Sequence, residues 1–533
     1  MSRLWQTCLI LIILVAVAVP LRWANLAQRP FHADESVQAM KFRTYWKTGV
    51  YKYNPNEFHG PSFNYVSIPI QWFSKQDIDT ENEAVLRSVP AVFSLISICL
   101  LFLFRKALGR SGTLLSGILL VVSPSLLFYS RYYIHETELF TFSLLFLGSL
   151  WCYTQTGKRR WILTSGIALG LMYATKETFV FNVAAGVGGL FILLGLEKFK
   201  GAPVLFLKRI PLTHWLLAFF GLIITGLLFF TSFFTNWAGP IDSLRTYMPW
   251  LNRAGGQSPH IWPWYYYLQR FFWFSKDGGP HFTELFILLP AVLGIWAGFK
   301  DHFSPAVRRF SIFLGSYTLL LGIIYCVIPY KTPWCFICVM QGFILLAGIG
   351  THYAITAWKN GVARAFVCLV LVAGSVHLLG QANQLNKVYY EESKNPHVYA
   401  HTISDVRNIV RTVEKLSSIH PDGEKMLIQV ITKNGDCWPL PWYLRKFDDT
   451  TGWYSDVPQD LRAPVLIFSP NFASFIKERT ENAESSDKTP HYKYAGFYGF
   501  RPGVFLQIYV EEKLWSEYVA KGLAADDDED EDE

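Results

Sequence analysis

Two adjacent carboxylates, Asp34 and Glu35, stand about a dozen residues beyond the first apolar segment, Leu4 to Leu21, in a loop that the charge pattern places outside the cytoplasm. A carboxylate there can take the proton of a hydroxyl acceptor, and cations can hold the charge that grows on a phosphate leaving group. Asp34 fits the first role, and Arg131, Lys176 and Lys331 fit the second. The chemistry suggested is a transfer at the lipid-water boundary. The same outward face collects Glu57-Phe-His-Gly-Pro-Ser62, Ser130-Arg-Tyr-Tyr-Ile-His-Glu-Thr-Glu138, Thr175-Lys-Glu-Thr178, Pro259-His-Ile-Trp-Pro-Trp-Tyr-Tyr-Tyr-Leu268 and Pro329-Tyr-Lys-Thr-Pro-Trp334. Polar groups at helix ends on one membrane face can converge on a single cleft, where ionisable residues are costly unless paired or solvated.

Each feature also has a plainer reading. Asp34 and Glu35 can cap a helix that begins near Ser36. Glu136 and Glu138 can charge the start of a span, and Lys176 with Glu177 can form an ion pair at a tight turn. The run Trp262 to Tyr267 reads first as an interfacial aromatic belt. His32, His59, His135 and His260 share no ligand spacing on one helix, which disfavours a histidine-centred metal site.

The elements that must position these groups are membrane helices. The 533 residues are 51% hydrophobic and 17% aromatic, and apolar stretches recur along the first 380 or so residues. Spans are expected at 4–21, 84–104, 112–129, 137–155, 161–175, 178–196, 213–235, 284–299, 310–328, 335–357 and 362–380, about eleven in all. Between Trp23 and Glu83, the stretches 45–53 and 65–73 are aromatic and amphipathic enough to lie along the membrane surface. Arg105, Lys106, Arg110, Lys158-Arg159-Arg160, Lys198, Lys200, Lys208-Arg209, Lys300, Arg308-Arg309, Lys359 and Arg364 fall in alternate loops, which marks those loops as cytoplasmic. The net charge of +7 is thus a topology signal, and its scatter over short loops argues against a nucleic-acid partner. Eight cysteines form no disulfide framework, and Cys335-Phe-Ile-Cys338 reads as small core residues on an apolar helix.

After Gly380 the hydropathy drops, and residues 381–523 have the size of one extracytoplasmic domain. Apolar spacing predicts a helix from Ile403 to Ile419, and short apolar runs predict strands at 426–431 and 465–468. A helix at 472–481, strands at 492–498 and 504–509, and a helix at 511–519 complete an α/β pattern. The acidic run 524–533 reads as a disordered tail. The segment Gly435 to Arg445 follows a strand, so Asp436, Trp438 and Trp442 either touch a glycan or pack as a turn with buried tryptophans.

Ala33-Asp-Glu35, Arg131-Tyr-Tyr-Ile-His-Glu136, Ala174-Thr-Lys-Glu177, Pro263-Trp-Tyr-Tyr-Tyr-Leu268 and Tyr330-Lys-Thr-Pro-Trp334, in this order, resemble the GT-C glycosyltransferases that use polyprenyl-phosphate sugars. That group includes the protein O-mannosyltransferases and the bacterial aminoarabinose transferases. With Gly435-Asp-Cys-Trp-Pro-Leu-Pro-Trp-Tyr-Leu-Arg445, the chain is most similar to the flippase-activity-associated proteins. The resemblance implies a polytopic α-helical membrane protein of GT-C type with a C-terminal soluble α/β domain. It implies an inverting transfer from a polyprenyl-phosphate donor to a hydroxyl of a glycan, lipid or protein, at the outer face of a bacterial inner membrane. The N-terminus would be cytoplasmic and the C-terminal domain extracytoplasmic. Asp34 would be the base, with Glu35 orienting the acceptor or a cation. Arg131, Lys176 and Lys331 would hold the donor phosphate, and His59, Glu136, Glu138, Glu177, Tyr266 and Trp334 would line the sugar and acceptor pocket. Some members bind a divalent metal near the first-loop carboxylates, so a metal on Asp34, Glu35 or His135 stays open. The alternative is a non-catalytic accessory or transporter for lipid-linked sugars.

Overall fold

The computed structural model describes residues 3–57, 59–80, 82–199, 210–255, 258, 260–433, 435–481 and 490–523. The acidic run 524–533 and the basic positions Lys200, Lys208 and Arg209 lie outside them.

Helices occupy every one of the apolar stretches, as they must where only an intrasegment ladder can satisfy the backbone. They are α1 (Arg3–Trp23), α4 (Glu83–Val122), α5 (Pro124–Tyr129), α6 (Glu136–Thr156), α7 (Arg159–Thr175), α8 (Phe179–Phe199), and helices Leu212–Phe230, Leu285–Ala297, Pro305–Val327, Ile337–Ala357 and Gly361–Lys387; two more, α2 (Ala33–Thr48) and α3 (Ser62–Ser74), fill the first loop. Among the described residues seven helices are long and apolar enough to cross a membrane; α6 and α7 are not among them. The protein is a multi-pass membrane protein.

The stretches 84–104 and 112–129 join into the one 40-residue helix α4, which breaks at Gly109. Gly109 sits at φ 60° and ψ −170°, a conformation that only glycine adopts without strain. Ser123 then caps α5, where Pro124 occupies the first turn. Bundle packing depends on small residues that let backbones touch. A Cβ on Gly294 would overlap the Leu346 carbonyl, and one on Gly350 would overlap the Pro290 carbonyl.

The chain forms two compact units. The first comprises the stretches up to Leu26, Thr48–Phe73 and Ala84–Tyr399; the second gathers Ala27–Lys47, Ser74–Glu83 and the residues from Ala400 onward. In the second unit a five-stranded mixed sheet runs β2 (Thr451–Tyr454), β1 (Ile428–Ile431), β3 (Val465–Phe468), β5 (Val504–Glu511), β4 (Tyr492–Arg501). The first three strands are parallel, and β3, β5 and β4 pair antiparallel. Alternation along β3 sorts its side chains. Val465 and Ile467 join Val406, Ile409, Val413 and Leu416 of helix Val406–Ile419, while Leu466 and Phe468 join Phe472 and Ile476 on the opposite face.

Helix packing at Gly350 gives a direct test. Gly350→Val should lower the thermal stability of the detergent-purified protein by about 1–3 kcal/mol through overpacking, measured against Gly361→Ala, where a Cβ meets open space.

Candidate functional site

In the second unit the carboxylate pair divides. Helix α2 begins at Ala33, so Glu35 lies in its first turn and accepts the His32 backbone N–H at 3.0 Å. The Asp34 N–H donates to His32 Nδ1, also at 3.0 Å. These reciprocal bonds are those of a capping box with an imidazole in the place of the usual hydroxyl. Glu35 is fully buried, whereas the Asp34 side chain keeps 42% exposure. The capping expectation therefore holds for Glu35, with the helix starting three residues before Ser36, and Asp34 stays open to solvent.

Helix α2 is seated on the segment after β1. Ser36 Oγ donates to the Pro439 carbonyl at 3.2 Å; seven residues on, Arg43 binds Asp79 at 2.6 Å, Asp448 at 2.8 Å and the Arg445 carbonyl at 3.2 Å. Asp448 and Asp79 hold the Arg43 pKa above its ordinary value although burial works to lower it. Trp442 is buried against Phe31, with ring centroids 5.3 Å apart, and lies beneath the Arg445 guanidinium at 3.9 Å. Asp436 pairs with Arg501 at 2.6 Å. Packing thus accounts for Trp442, and an ion pair for Asp436.

In the first unit the polar groups form a second cluster where α6, the α7–α8 turn and the first loop meet. Lys176 and Glu136 make a buried ion pair. Burial would lower the Lys176 pKa, but its neighbours Cys335 and Glu136 raise it above the ordinary value, so the ammonium stays charged. Glu177 pairs with His59 at 3.0 Å, with the Lys176 charge acting on it only through space. Burial pushes the Glu177 carboxyl up, yet the His59 hydrogen bond and charge bring it below the usual range. His59 stacks edge-on to His135 at 5.0 Å, and Ser62 meets Thr175 at 3.0 Å. Gly60 lets the loop approach closely, since a Cβ there would overlap the Ala174 carbonyl. Glu138 is completely buried in the first turn of α6.

Tyr266 and Trp334 belong to an aromatic wall beside this cluster, and Lys331 is bonded to its Trp262 backbone. Lys331 Nζ donates to the Trp262 carbonyl at 3.1 Å and to the Ile328 carbonyl, and no described carboxylate pairs with it. Burial lowers its pKa. Tyr266 stacks on Trp262 at 5.1 Å, and Trp334 packs among Tyr129, Tyr132 and Tyr399. Cys335 joins wall and cluster, with its sulfur 3.2 Å from the Thr332 hydroxyl and 3.9 Å from Lys176 Nζ. Arg131 is spent differently, donating to the Leu21 and Asn25 carbonyls at 3.1 Å each, just where α1 ends. The sequence marks Cys335 only as a small core residue on an apolar helix, whereas its sulfur lies beside Lys176 and Thr332; nothing in the local pattern marks Tyr399. Among the described residues no three His, Cys, Asp or Glu side chains come together as a metal cage.

Two outcomes test this geometry. Lys176→Met should destabilise the protein by about 3–5 kcal/mol by leaving a buried carboxylate alone, while Lys176→Met with Glu136→Leu should recover most of that loss; equal losses in single and double variants would rule out the pair as the cause. Glu177 has a lowered pKa in the folded state, so its contribution to stability is present above the ordinary glutamate pKa and lost as pH falls below it. Unfolding temperatures followed from about pH 5 to 3 should therefore fall less steeply in Glu177→Gln than in the wild type.

Residues 70–228 match the family model described as dolichyl-phosphate-mannose-protein mannosyltransferase. No curated protein matches the sequence. Among solved structures, ArnT from Cupriavidus metallidurans in the apo state aligns with a TM-score of 0.62 at 12% identity, covering 93% of this chain and 97% of that one. The same protein bound to undecaprenyl phosphate aligns at 0.57 and 14% identity, with coverage of 93% and 97%. The archaeal oligosaccharyltransferase AglB from Archaeoglobus fulgidus, in complex with an inhibitory peptide and a dolichol-phosphate, aligns at 0.51 and 11% identity, covering 93% of this chain and 74% of that one. The chain has the GT-C glycosyltransferase fold.

Proposed function

We propose that this protein transfers a sugar from a polyprenyl-phosphate donor to an acceptor hydroxyl at the extracytoplasmic face, with inversion and with Asp34 as the general base. The observation that carries the reading is the division of the carboxylate pair: Glu35 is buried and bonded to the His32 amide, and Asp34 projects from the same rigid helix start with its side chain accessible. The fold shared with ArnT, which binds undecaprenyl phosphate in one of its structures, supports the donor class.

In the proposed reaction an Asp34 oxygen takes the proton of the acceptor hydroxyl as the hydroxyl oxygen bonds to the anomeric carbon. The bond from the anomeric carbon to the phosphate oxygen breaks, and polyprenyl phosphate leaves with the electron pair. A single displacement inverts the anomeric centre. Lys331 is the strongest of the three cations for the phosphate, because carbonyl dipoles hold it without neutralising its charge. Lys176 already balances Glu136, and Arg131 serves the end of α1. His59, Glu177, Tyr266 and Trp334 are the proposed lining of the sugar and acceptor pocket; Glu136 is held by Lys176 and Glu138 is completely buried, so in this arrangement neither offers a surface to the sugar. The positive loops support a cytoplasmic N-terminus and an extracytoplasmic C-terminal region, and the family resemblance implies a bacterial inner membrane.

The test incubates the purified protein and its variants with a panel of polyprenyl-phosphate sugars and follows donor consumption by mass spectrometry. Asp34→Asn should leave the fold intact and cut turnover by at least about a hundredfold, and Lys331→Met should raise the donor KM by about tenfold or more. Turnover unchanged by Asp34→Asn would remove Asp34 from the mechanism. Donor translocation in vesicles without consumption, equal in wild type and Asp34→Asn, would establish the transport alternative instead.

A further inference from the structure

The backbone of Phe31, three residues before Asp34, is gripped from both sides within the second unit. Its N–H donates to the Tyr443 hydroxyl at 2.7 Å, and its carbonyl accepts from Thr402 Oγ1 at 2.7 Å. The Tyr443 hydroxyl in turn donates to Glu83 Oε1 at 2.6 Å, and the same oxygen accepts from Arg407 at 3.3 Å. Arg407 also donates to the Ala27 carbonyl at 2.6 Å, upstream in the same loop. The phenol thus uses both its acceptor and its donor capacity, and an aliphatic or unsubstituted aromatic residue at 443 leaves a buried amide without this partner.

The side chains repeat the grip. Phe31 is buried against Trp442, and His32 faces His401 with ring centroids 5.1 Å apart. Ser36 and Arg43, on one face of α2, reach Pro439, Arg445 and Asp448. The contacts to residues 439–448 begin just before the carboxylate and continue along its helix, which is more than a domain needs merely to be tethered. Residues 27–31 have no regular secondary structure of their own up to the start of α2, so these bonds set where the helix begins.

We infer that Tyr443 and Thr402 are positioning residues for Asp34: they clamp the Phe31 peptide and so fix the α2 start that aims the carboxylate at the acceptor. The inference rests on the assignment of Asp34 as base. It gives the C-terminal region a catalytic task, the orientation of a group about four hundred residues upstream. Misplacement of a reacting group by about 1 Å can cost a hundredfold in rate, so loss of one clamp bond has a kinetic reading out of proportion to its structural one.

The experiment measures kcat and donor KM for Tyr443→Phe, Thr402→Val and Thr402→Ser in the full chain, together with hydrogen exchange at residues 27–36. Rates are expressed per folded molecule. Tyr443→Phe and Thr402→Val should lower kcat by about tenfold or more with the donor KM within about twofold of wild type, and Thr402→Ser should restore the rate. Exchange should rise at Phe31 in Tyr443→Phe while the sheet stays protected. If Asp34→Asn is inactive but both clamp variants turn over at the wild-type rate per folded molecule, the positioning role is overturned and the assignment of Asp34 survives. If Asp34→Asn is itself fully active, the assignment of the base fails, and the catalytic part of the inference fails with it. Unchanged exchange at Phe31 overturns the clamp in either case.

Discussion

A charge inside a membrane protein must find its counterpart or stay near water, and the buried pair of Lys176 and Glu136 shows how much structure that constraint can organise. Taking each ion from water costs several kcal/mol, which only close pairing and further hydrogen bonds offset. The pair joins the first turn of α6 to the turn between α7 and α8. With those two helix ends held, Glu177 is free to face His59, and His59 draws the first loop onto His135. Ser62 and Thr175 complete the seam at 3.0 Å. The polar surface on this side of the bundle is therefore built on one ion pair that is itself unavailable for binding a phosphate without rearrangement.

The second unit solves a different problem, the placement of a short polar helix with almost no apolar face. The buried side of α2 consists of Glu35, Ser36, Gln38, Ala39, Phe42 and Arg43. Hydrophobic burial contributes little there, so hydrogen bonds and ion pairs with fixed geometry do the positioning. Such contacts are directional in a way that apolar packing is not. Arg43 engages two carboxylates and a carbonyl through separate nitrogens, a use that the planar guanidinium permits and an ammonium would not reproduce.

What could be read in the sequence follows the same physics. Membrane helices announce themselves because lipid demands long apolar runs, and strand β3 does so because both its faces are buried, as Val465 to Phe468 show. The sheet's remaining edge was silent: β2, Thr451 to Tyr454, contains a glycine and leaves most of its residues at least partly exposed. Helix α2 was marked only at its start, by the capping pair Asp34 and Glu35, because a buried face that includes Glu, Ser, Gln and Arg leaves little hydrophobic period to detect. Among the site residues, Asp34 was recognisable as a polar group in the right loop, but its separation from Glu35 depends on the exact residue where the helix starts. An ion pair between neighbours Lys176 and Glu177 was the local expectation; the observed partners lie 40 residues away for Lys176 and 118 for Glu177. Tyr443 lies in the segment Gly435 to Arg445 that the sequence marks, but nothing local names its partner or that of Thr402, since only the fold brings the Phe31 backbone to them.

The three cations show how the fold gives equal charges unequal surroundings. Arg131 ends up binding carbonyls where α1 terminates, as a positive group does favourably at a helix C-terminus. Lys176 has a full negative charge beside it, and an anion arriving at its ammonium would have to compete with Glu136. Lys331 has carbonyl oxygens, whose partial charges orient an ammonium without cancelling it, and an aromatic wall that keeps its surroundings apolar. Under the proposed reaction a phosphate would meet at Lys331 an ammonium held by peptide carbonyls and not one paired to a carboxylate. Equal charge in the sequence thus becomes unequal capacity in the fold, decided by whether the nearest acceptor is a carboxylate or a peptide carbonyl.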